Sequence, residues 1–470
     1  MPMIVDPLAS LVTRFPSLLA PLRRFADTVM EVVDDVAGLC DAEGRILSAT
    51  DDVATAGLAE VLLAHEPIAE VVEVGGRQYR RMRDRSRGAY FGLRGAMKVD
   101  RHLYREVGVR NGPTIVPLDL SAGLVDGLWT PLAAAAAGHL LQSEPSRDAV
   151  QTCRALRVMP YSRSSLERGG DGLGQRWEEI RGHAEDQLIA GFEVPEEATT
   201  ISVSVDRVSL PMEEPLVDDG GEIVLDADGA ARIQVAHRMA YCAVWTLHDT
   251  EGDPLYSVRY GRMPAEGHDP IEETLWGDLE ALTIARTTLR LVGLADGAPE
   301  MQYMLDRTVG VFGDAEIAID FWHVVEKVGK AVKSTGRDTA DWVPRFRSLL
   351  RHEERGAERV LLHLRSWELE FEADDEVPEA LAAAITYLDG NADRMRYKRL
   401  RDKGLPIGSG HVEATCKTLV ATRMKRCGAR WKTSGGQAVL SLRSLAKSSR
   451  WEEAMALLLP TWRTPVSEVA

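Results

Sequence analysis

At 470 residues and 45% hydrophobic, the chain can supply two or three domains with cores of their own. Its longest apolar stretch, Pro131 to Leu141, is Ala-rich, interrupted by Gly and His, and short of the roughly 20 residues that cross a bilayer, so no membrane partner is expected. The formal charge of −16 hides a reversal: residues 391–450 hold 15 Lys and Arg against three acids, a balance of +12 while the remainder sums to −28, which points to a polyanion at one face.

In chain order, the N-terminus shows no basic flank followed by an apolar block and a small-residue cleavage site, so a cytoplasmic protein is expected. Residues 1–125 mix short apolar runs with expected turns at Asp41-Ala-Glu-Gly44 and Val74-Gly-Gly76, then alternate near Gln78 to Met82 and Tyr90 to Tyr104; a mixed α/β region is predicted. Residues 126–195 turn helical. Ser146 to Leu156 is broken by Pro160, and a second, short helix is predicted from Ser162, carrying Arg163 and Arg168. That layout is compatible with a helix-turn-helix reader of DNA, although helical hairpins of this kind are more often plain packing.

From Thr199 the period becomes that of strands. Thr200 to Asp206 is β-branched and ends on an acid; Met239 to His248 and Leu255 to Tyr260 follow, separated by the turn Asp249 to Asp253, and the acidic stretch Glu213 to Asp228 suits a solvated hairpin loop. Pro270 to Thr288 has the pattern of an amphipathic helix, Leu289 to Ala295 that of a buried strand leading into Asp296-Gly297, and Glu316 to Asp320 that of a fifth strand. Three strands, a helix and a fourth strand is the order of a ribonuclease H-like core, a mixed five-stranded sheet flanked by helices, here predicted over 196–320. Residues 321–400 have helical periodicity and no convincing strand, which predicts an all-α insertion. Residues 401–470 return to the core with helices near Val412 to Arg426 and Gly436 to Lys447.

Phosphoryl transfer with two metal ions needs carboxylates from separate elements at one point, since ions about 4 Å apart bridge the attacking and leaving oxygens. Strand ends provide that convergence, and Asp206 and Asp296 each close a strand. Asp-Gly by itself is a common turn dipeptide, present here also at Asp126-Gly127, Asp171-Gly172 and Asp228-Gly229; position after an apolar strand sets Asp296 apart. The C-terminal block Gly404-Leu-Pro-Ile-Gly-Ser-Gly-His-Val-Glu413-Ala-Thr-Cys-Lys417 opens the backbone at Gly408-Ser-Gly410 just before a helix, with Glu413 on its first turn and Lys417 one turn below. By spacing alone this is more often an exposed Glu–Lys pair on a surface helix. Lys417, Arg423, Lys425, Arg426, Arg430 and Lys432 are the cations placed to meet DNA phosphates. The five cysteines (Cys40, Cys153, Cys242, Cys416, Cys427) lack zinc-knuckle spacing and are expected to be buried or idle thiols.

At this block the sequence resembles the insertion-sequence transposases of the ISKra type, whose final motif is similar to Leu405 to Lys417 followed by Arg423-Met-Lys-Arg426 and Arg430-Trp431. The likeness extends to Arg394-Met-Arg-Tyr397, Gly293-Leu-Ala-Asp-Gly-Ala298, Asp320-Phe-Trp-His323 and Ile201 to Asp206, about 270 residues in all, and more weakly to Tyr90-Phe-Gly92, Val116-Pro-Leu-Asp119 and Ser162 to Arg168. The resemblance implies a DDE transposase with a ribonuclease H-like fold and a helical insertion, catalytic and metal-binding residues Asp206, Asp296 and Glu413, accessory residues Asp320 and His323, and an N-terminal DNA-binding region. His323 taken singly is more often a packing or surface histidine. The 116 residues between Asp296 and Glu413 leave room for the insertion.

It further implies two Mg²⁺ (or Mn²⁺) ions, double-stranded DNA at element ends and target as partner, and a homo-oligomer that holds two ends together. Where such chains usually carry Gly after the first Asp, this one has Arg207, whose side chain can point away by strand alternation or pair with Asp206 and weaken metal binding. Two other readings stay open: a transposase-derived DNA-binding protein without catalysis, and a two-metal nuclease that cuts without rejoining.

Overall fold

The computed structural model describes residues 7–34, 38–371 and 376–469. Residues 372–375 of the expected helical insertion lie outside them. Among the described residues the strands, in chain order, are β1 (Val71–Val74), β2 (Arg77–Phe91), β3 (Ala96–Glu106), β4 (Thr114–Ile115), β5 (Thr200–Pro215), β6 (Ile233–His248), β7 (Pro254–Arg262), β8 (Arg290–Ala295), β9 (Glu316–Ile319) and β10 (Ser467–Val469). They form two five-stranded sheets, ordered β10-β1-β2-β3-β4 and β7-β6-β5-β8-β9. Each sheet belongs to one of two compact units, the first Met1–Glu179 with Glu452–Ala470, the second Ile180–Trp451.

In the first unit every strand pairing is antiparallel. Val74-Gly-Gly76 makes the expected tight turn, both glycines having positive φ as such a hairpin requires. The turn expected at Asp41 to Gly44 is instead part of the helix Leu39–Leu63. Gly44 there faces the Arg157 guanidinium, and a Cβ would lie 2.6 Å from Arg157 Nη1, so its smallness serves packing rather than a bend. The same helix packs Leu58 and Leu62 on Tyr90, Met97 and Val99 of β2 and β3.

The expected short second helix is also corrected. After the helix Ser146–Ala155 the chain turns through positive φ at Arg157 and Met159, then runs as one 28-residue helix, Arg163–Ala190. Its Gly169-Gly-Asp-Gly172 stretch, in which Asp171-Gly172 looked like a turn, admits large neighbours against a continuous helix: a Cβ on Gly169 would lie 2.9 Å from the Trp129 ring, one on Gly170 would meet Leu141, and one on Gly172 would meet the Asp126 carboxylate.

The second unit is built on the mixed sheet. β5 pairs antiparallel with β6 along its whole length and parallel with β8, and β8 pairs parallel with β9. Alternation divides its side chains between two faces. Ile201, Val203 and Val205 of β5 pack with Ile271, Leu275 and Leu279 of the helix Asp269–Ala285 and with Met301 and Met304 of the helix Pro299–Thr308. On the other face Leu210, Met212 and Cys242 pack with Val412, Cys416, Leu419 and Leu440, whereas Val292, Leu294 and Ala318 pack with the helices that follow β9. Those are Phe321–Ser334, Thr339–His352, Gly356–Glu368, Glu379–Asn391 and Tyr397–Asp402. No strand interrupts them among the described residues. The helix expected over Val412 to Arg426 is three pieces, Gly410–Thr415, a π-helical turn Cys416–Ala421, and Thr422–Met424.

Candidate active site

Three aspartates lie level on adjacent parallel strands: Asp296 and Asp320 directly follow β8 and β9, whereas Asp206, expected to close its strand, sits inside β5, which runs on to Pro215 beside β6. Ser204 lies opposite Leu294, so two residues further on Asp206 comes level with Asp296; Ala295 lies opposite Ile319, so Asp296 is level with Asp320. Neighbouring strands are about 4.8 Å apart. Asp206 shares the parity of Leu210 and Met212, Asp296 that of Val292 and Leu294, and Asp320 that of Ala318, which puts all three on the face opposite the helices Asp269–Ala285 and Pro299–Thr308.

Each carboxylate is fixed by hydrogen bonds. Asp206 Oδ1 accepts from the Arg207 amide at 2.6 Å, and Oδ2 accepts from the Cys416 thiol at 3.5 Å. Asp296 Oδ1 accepts from the Ala298 amide at 2.9 Å, while its backbone carbonyl accepts from the Tyr387 hydroxyl at 2.6 Å. Gly297 takes φ +90° here, and a Cβ would come 3.0 Å from the Tyr387 ring. Asp320, 6% exposed, caps the helix Phe321–Ser334: Oδ1 accepts from the His323 amide at 2.6 Å, and Oδ2 accepts from the Ser409 amide. The Phe321 amide donates to the Ile407 carbonyl at 2.9 Å. The loop just before Glu413 is thereby tied to the end of β9.

Electrostatics show which groups face one another. The Asp206 carboxyl is held above the usual aspartate range, first by burial and further by the charge of Asp296, while the Arg207 amide, the Cys416 thiol and His323 pull it back. Burial raises the Tyr387 hydroxyl, and the negative charges of Asp296 and Asp320 raise it further. Asp206, Asp296, Asp320, His323 and Tyr387 therefore share one neighbourhood. Glu413 is exposed on the first turn of the Gly410–Thr415 helix; Cys416, three residues on and so on the same side of the helix, is the contact that joins this helix to Asp206.

Arg207 points away. Its guanidinium pairs with the Glu300 carboxylate on the opposite face, where Tyr241 also donates to Glu300 at 2.7 Å, and only its backbone amide reaches Asp206. Of the two orientations open to it in the sequence, alternation has selected the outward one. The charge of Arg207 is accordingly taken up by Glu300, and the Asp206 carboxylate is left available.

The other sequence-selected residues fall into distinct surroundings. Lys417, Lys425, Arg426, Arg430 and Lys432 are exposed. Arg423 is not: it is 7% exposed, with its guanidinium carbon 5.0 Å from the centre of the Trp431 ring. Trp431 is itself pinned, since its amide donates to Pro211 and its carbonyl accepts from Glu213. Arg423 thus packs the Arg430-Trp431 segment onto β5 rather than facing a phosphate. Arg163 pairs with Glu167 at 3.5 Å, and Arg168 Nε donates to the Ser164 carbonyl at 3.2 Å, both within their own helix. Gly408 gives close approach to Trp322, a Cβ there lying 3.0 Å from its ring, whereas Gly410 has open space around it. Tyr387 and the donor role of Cys416 carry no signal in the sequence, because both arise from contacts far apart along the chain.

The acids fit a divalent cation. Half-buried carboxylates, Asp206 and Asp296 level on neighbouring strands beside the buried Asp320 and none paired with Arg or Lys among the described residues, are the kind of donor set that Mg²⁺ and Mn²⁺ favour. Among the described residues the one group of three such side chains whose ligand atoms all lie within 4.8 Å of one another is His268, Asp269 and Glu272; Asp206, Asp296 and Glu413 are not drawn that close together. There Arg307 already pairs with Glu272 at 2.9 Å, and a helix N-terminus adds positive potential, so that cluster disfavours a cation.

No protein-family model matches the chain, and none of the curated proteins matches it. Among solved structures, the Drosophila P element transposase strand transfer complex aligns over 71% of this chain and 83% of that one, at 9% identity and a TM-score of 0.25. The Mos1 transposase paired-end complex with left transposon end aligns over 58% and 79%, at 14% identity and a TM-score of 0.17. A pre-cleavage Mos1 transpososome aligns over 56% and 77%, at 13% identity and 0.15. Scores this low place no constraint on the site, which its own geometry must carry.

Proposed function

We propose that this chain is a DDE transposase of the ISKra type with a ribonuclease H-like core, cutting DNA at the ends of an insertion sequence and joining the freed ends to a target duplex. The observation that carries this is the register that sets Asp206 level with Asp296 on adjacent parallel strands, with the Glu413 helix joined to Asp206 through Cys416. The 3-2-1-4-5 strand order, counted within the second sheet, is the one expected of such a core.

In this reading Asp206, Asp296 and Glu413 hold two Mg²⁺ or Mn²⁺ ions, which when bound supply charge neutralisation at the scissile phosphate and activation of the attacking oxygen. The chain's own residues do the positioning. Arg207 N–H and Cys416 S–H orient the Asp206 carboxylate; Tyr387 fixes the backbone at Asp296; Asp320 ties the loop before Glu413 to the sheet. The charge of His323 acts on Asp206 in the direction that favours its carboxylate. The exposed Lys417, Lys425, Arg426, Arg430 and Lys432 hold DNA phosphates next to the carboxylates, and a homodimer or larger assembly brings two ends together.

Asp296→Asn and Glu413→Gln, tested on duplexes carrying the DNA that flanks the gene, should each lower cleavage by at least about 10³-fold in Mg²⁺ while leaving DNA affinity unchanged. Wild-type-like cutting by either variant would sink the assignment. A pre-cut end with a free 3′-hydroxyl separates transposase from nuclease, since only the former joins it to a second duplex. The reading of a non-catalytic DNA-binding relic rested on Arg207, and the engagement of its guanidinium with Glu300 weakens that ground.

A further inference from the structure

The strongest unexplained charge lies in the first unit. Residues 77–110 hold eleven Lys and Arg, ten of them Arg, against three acids, a balance of +8 within a chain of −16. Nearly all of this stretch is the antiparallel ribbon of β2 and β3. Arg80 and Arg105 are directly opposite in register and both exposed, a like-charge cross-strand pair that destabilises a sheet in the absence of a counter-charge. Arg83 is exposed at the irregularity between Arg81 and Arg85, where the register shifts. Among the described residues Arg80, Arg83, Lys98, Arg105 and Arg110 have no carboxylate partner, in contrast to Arg85 with Glu66 at 3.2 Å or Arg94 with Asp51 at 2.6 Å. The cations on β2 spread from Arg77 to Arg87, about 30 Å of strand, comparable to one turn of B-form duplex.

We propose that the β2–β3 ribbon is a phosphate-gripping surface for duplex DNA, centred on Arg80, Arg83 and Arg105. Guanidinium is the chemistry that fits, since its planar fork meets phosphate oxygens in pairs. A phosphate from each strand of a duplex would supply the counter-charge that Arg80 and Arg105 lack. The inference deepens the transposase reading by saying where DNA is held outside the carboxylate site, and takes from it only the identity of the partner.

Fluorescence anisotropy of the full chain with a labelled mixed-sequence duplex of about 30 base pairs, across a NaCl series, tests it. The R80A/R83A/R105A variant should bind at least about tenfold more weakly near 0.1 M salt, and the slope of log K against log salt should shrink by about 2 to 3, close to 0.9 per lost phosphate contact. R80K/R83K/R105K, which keeps the charge, should recover most of the slope and only part of the affinity. Equal affinity and slope in wild type and the alanine variant would overturn the proposal. So would a loss of binding confined to phosphatidylserine vesicles, with duplex binding intact. R80A/R83A/R105A should keep the wild-type Mn²⁺ titration by calorimetry, so a failed catalytic reading and a failed ribbon give different results.

Discussion

Asp206 is an acid whose environment opposes its charge, and the two donors on it decide how much of that charge the fold tolerates. The Arg207 amide cannot be removed by substitution, but the Cys416 thiol can. Cys416→Ala is expected to slow single-turnover cleavage about three- to tenfold, the equivalent of one lost hydrogen bond, with DNA affinity unchanged, and Cys416→Ser to restore it. A loss in both variants alike would mean that Cys416 serves packing only. The elements that carry Asp296 and Glu413 were legible in the sequence, an apolar strand directly before the one and a helix opening after small residues for the other. Arg207 was legible only as an ambiguity. Tyr387 and Cys416 were not legible, since their partners lie 91 and 210 residues away along the chain and neither type marks itself as a donor.

At the scale of elements, the Asp320 carboxylate joins β9, the helix Phe321–Ser334 and the loop before Glu413. Asp320→Ala removes an N-cap and that tether together, so a loss of about 1–2 kcal/mol by denaturant titration is expected, with Asp320→Asn, which can still cap, losing much less. The helical segment has its own constraint at Gly356, where a Cβ would collide with the backbone of Leu349 and Leu350. Backbone cannot rotate aside as a side chain can, so Gly356→Ala should cost about 1–3 kcal/mol and lower the melting temperature. The strands and most helices of the second unit followed from alternation and apolar periodicity. The 28-residue helix did not, because Gly169, Gly170 and Gly172 imitate turn chemistry while serving close packing. The long helix at Leu39–Leu63 was obscured by Gly44 for the same reason.

At the scale of the molecule, one buried cluster tunes stability with pH. Arg450 lies between Glu185 and Asp278, with Tyr260 donating to Asp278, so two buried carboxylates compete for one guanidinium. Glu185 is pushed up to about 7, chiefly by burial, against the attraction of Arg450 and with the repulsion of Asp278. Because that value lies above the ordinary 4.5, the fold favours the protonated acid: its contribution is full below about pH 4.5 and is lost as pH rises through about 7. Glu185→Gln should therefore raise the melting temperature near pH 8 and change it little near pH 5; an equal shift at both would argue against a shared proton. The distribution of charge also works at this scale. Sequence inspection found the basic C-terminal block, but the β2–β3 ribbon became visible only when register placed Arg80 against Arg105.

Asp206 and Asp296 are proposed to hold divalent metal ions, and Asp206 is the member that depends most on strand register. Calorimetric titration of Mn²⁺ into the full-length protein tests it without knowledge of the DNA sequence recognised. The geometry predicts binding by wild type and its loss in both Asp206→Asn and Asp296→Asn, with each variant still folded. Unchanged Mn²⁺ binding in the two variants would contradict the assignment.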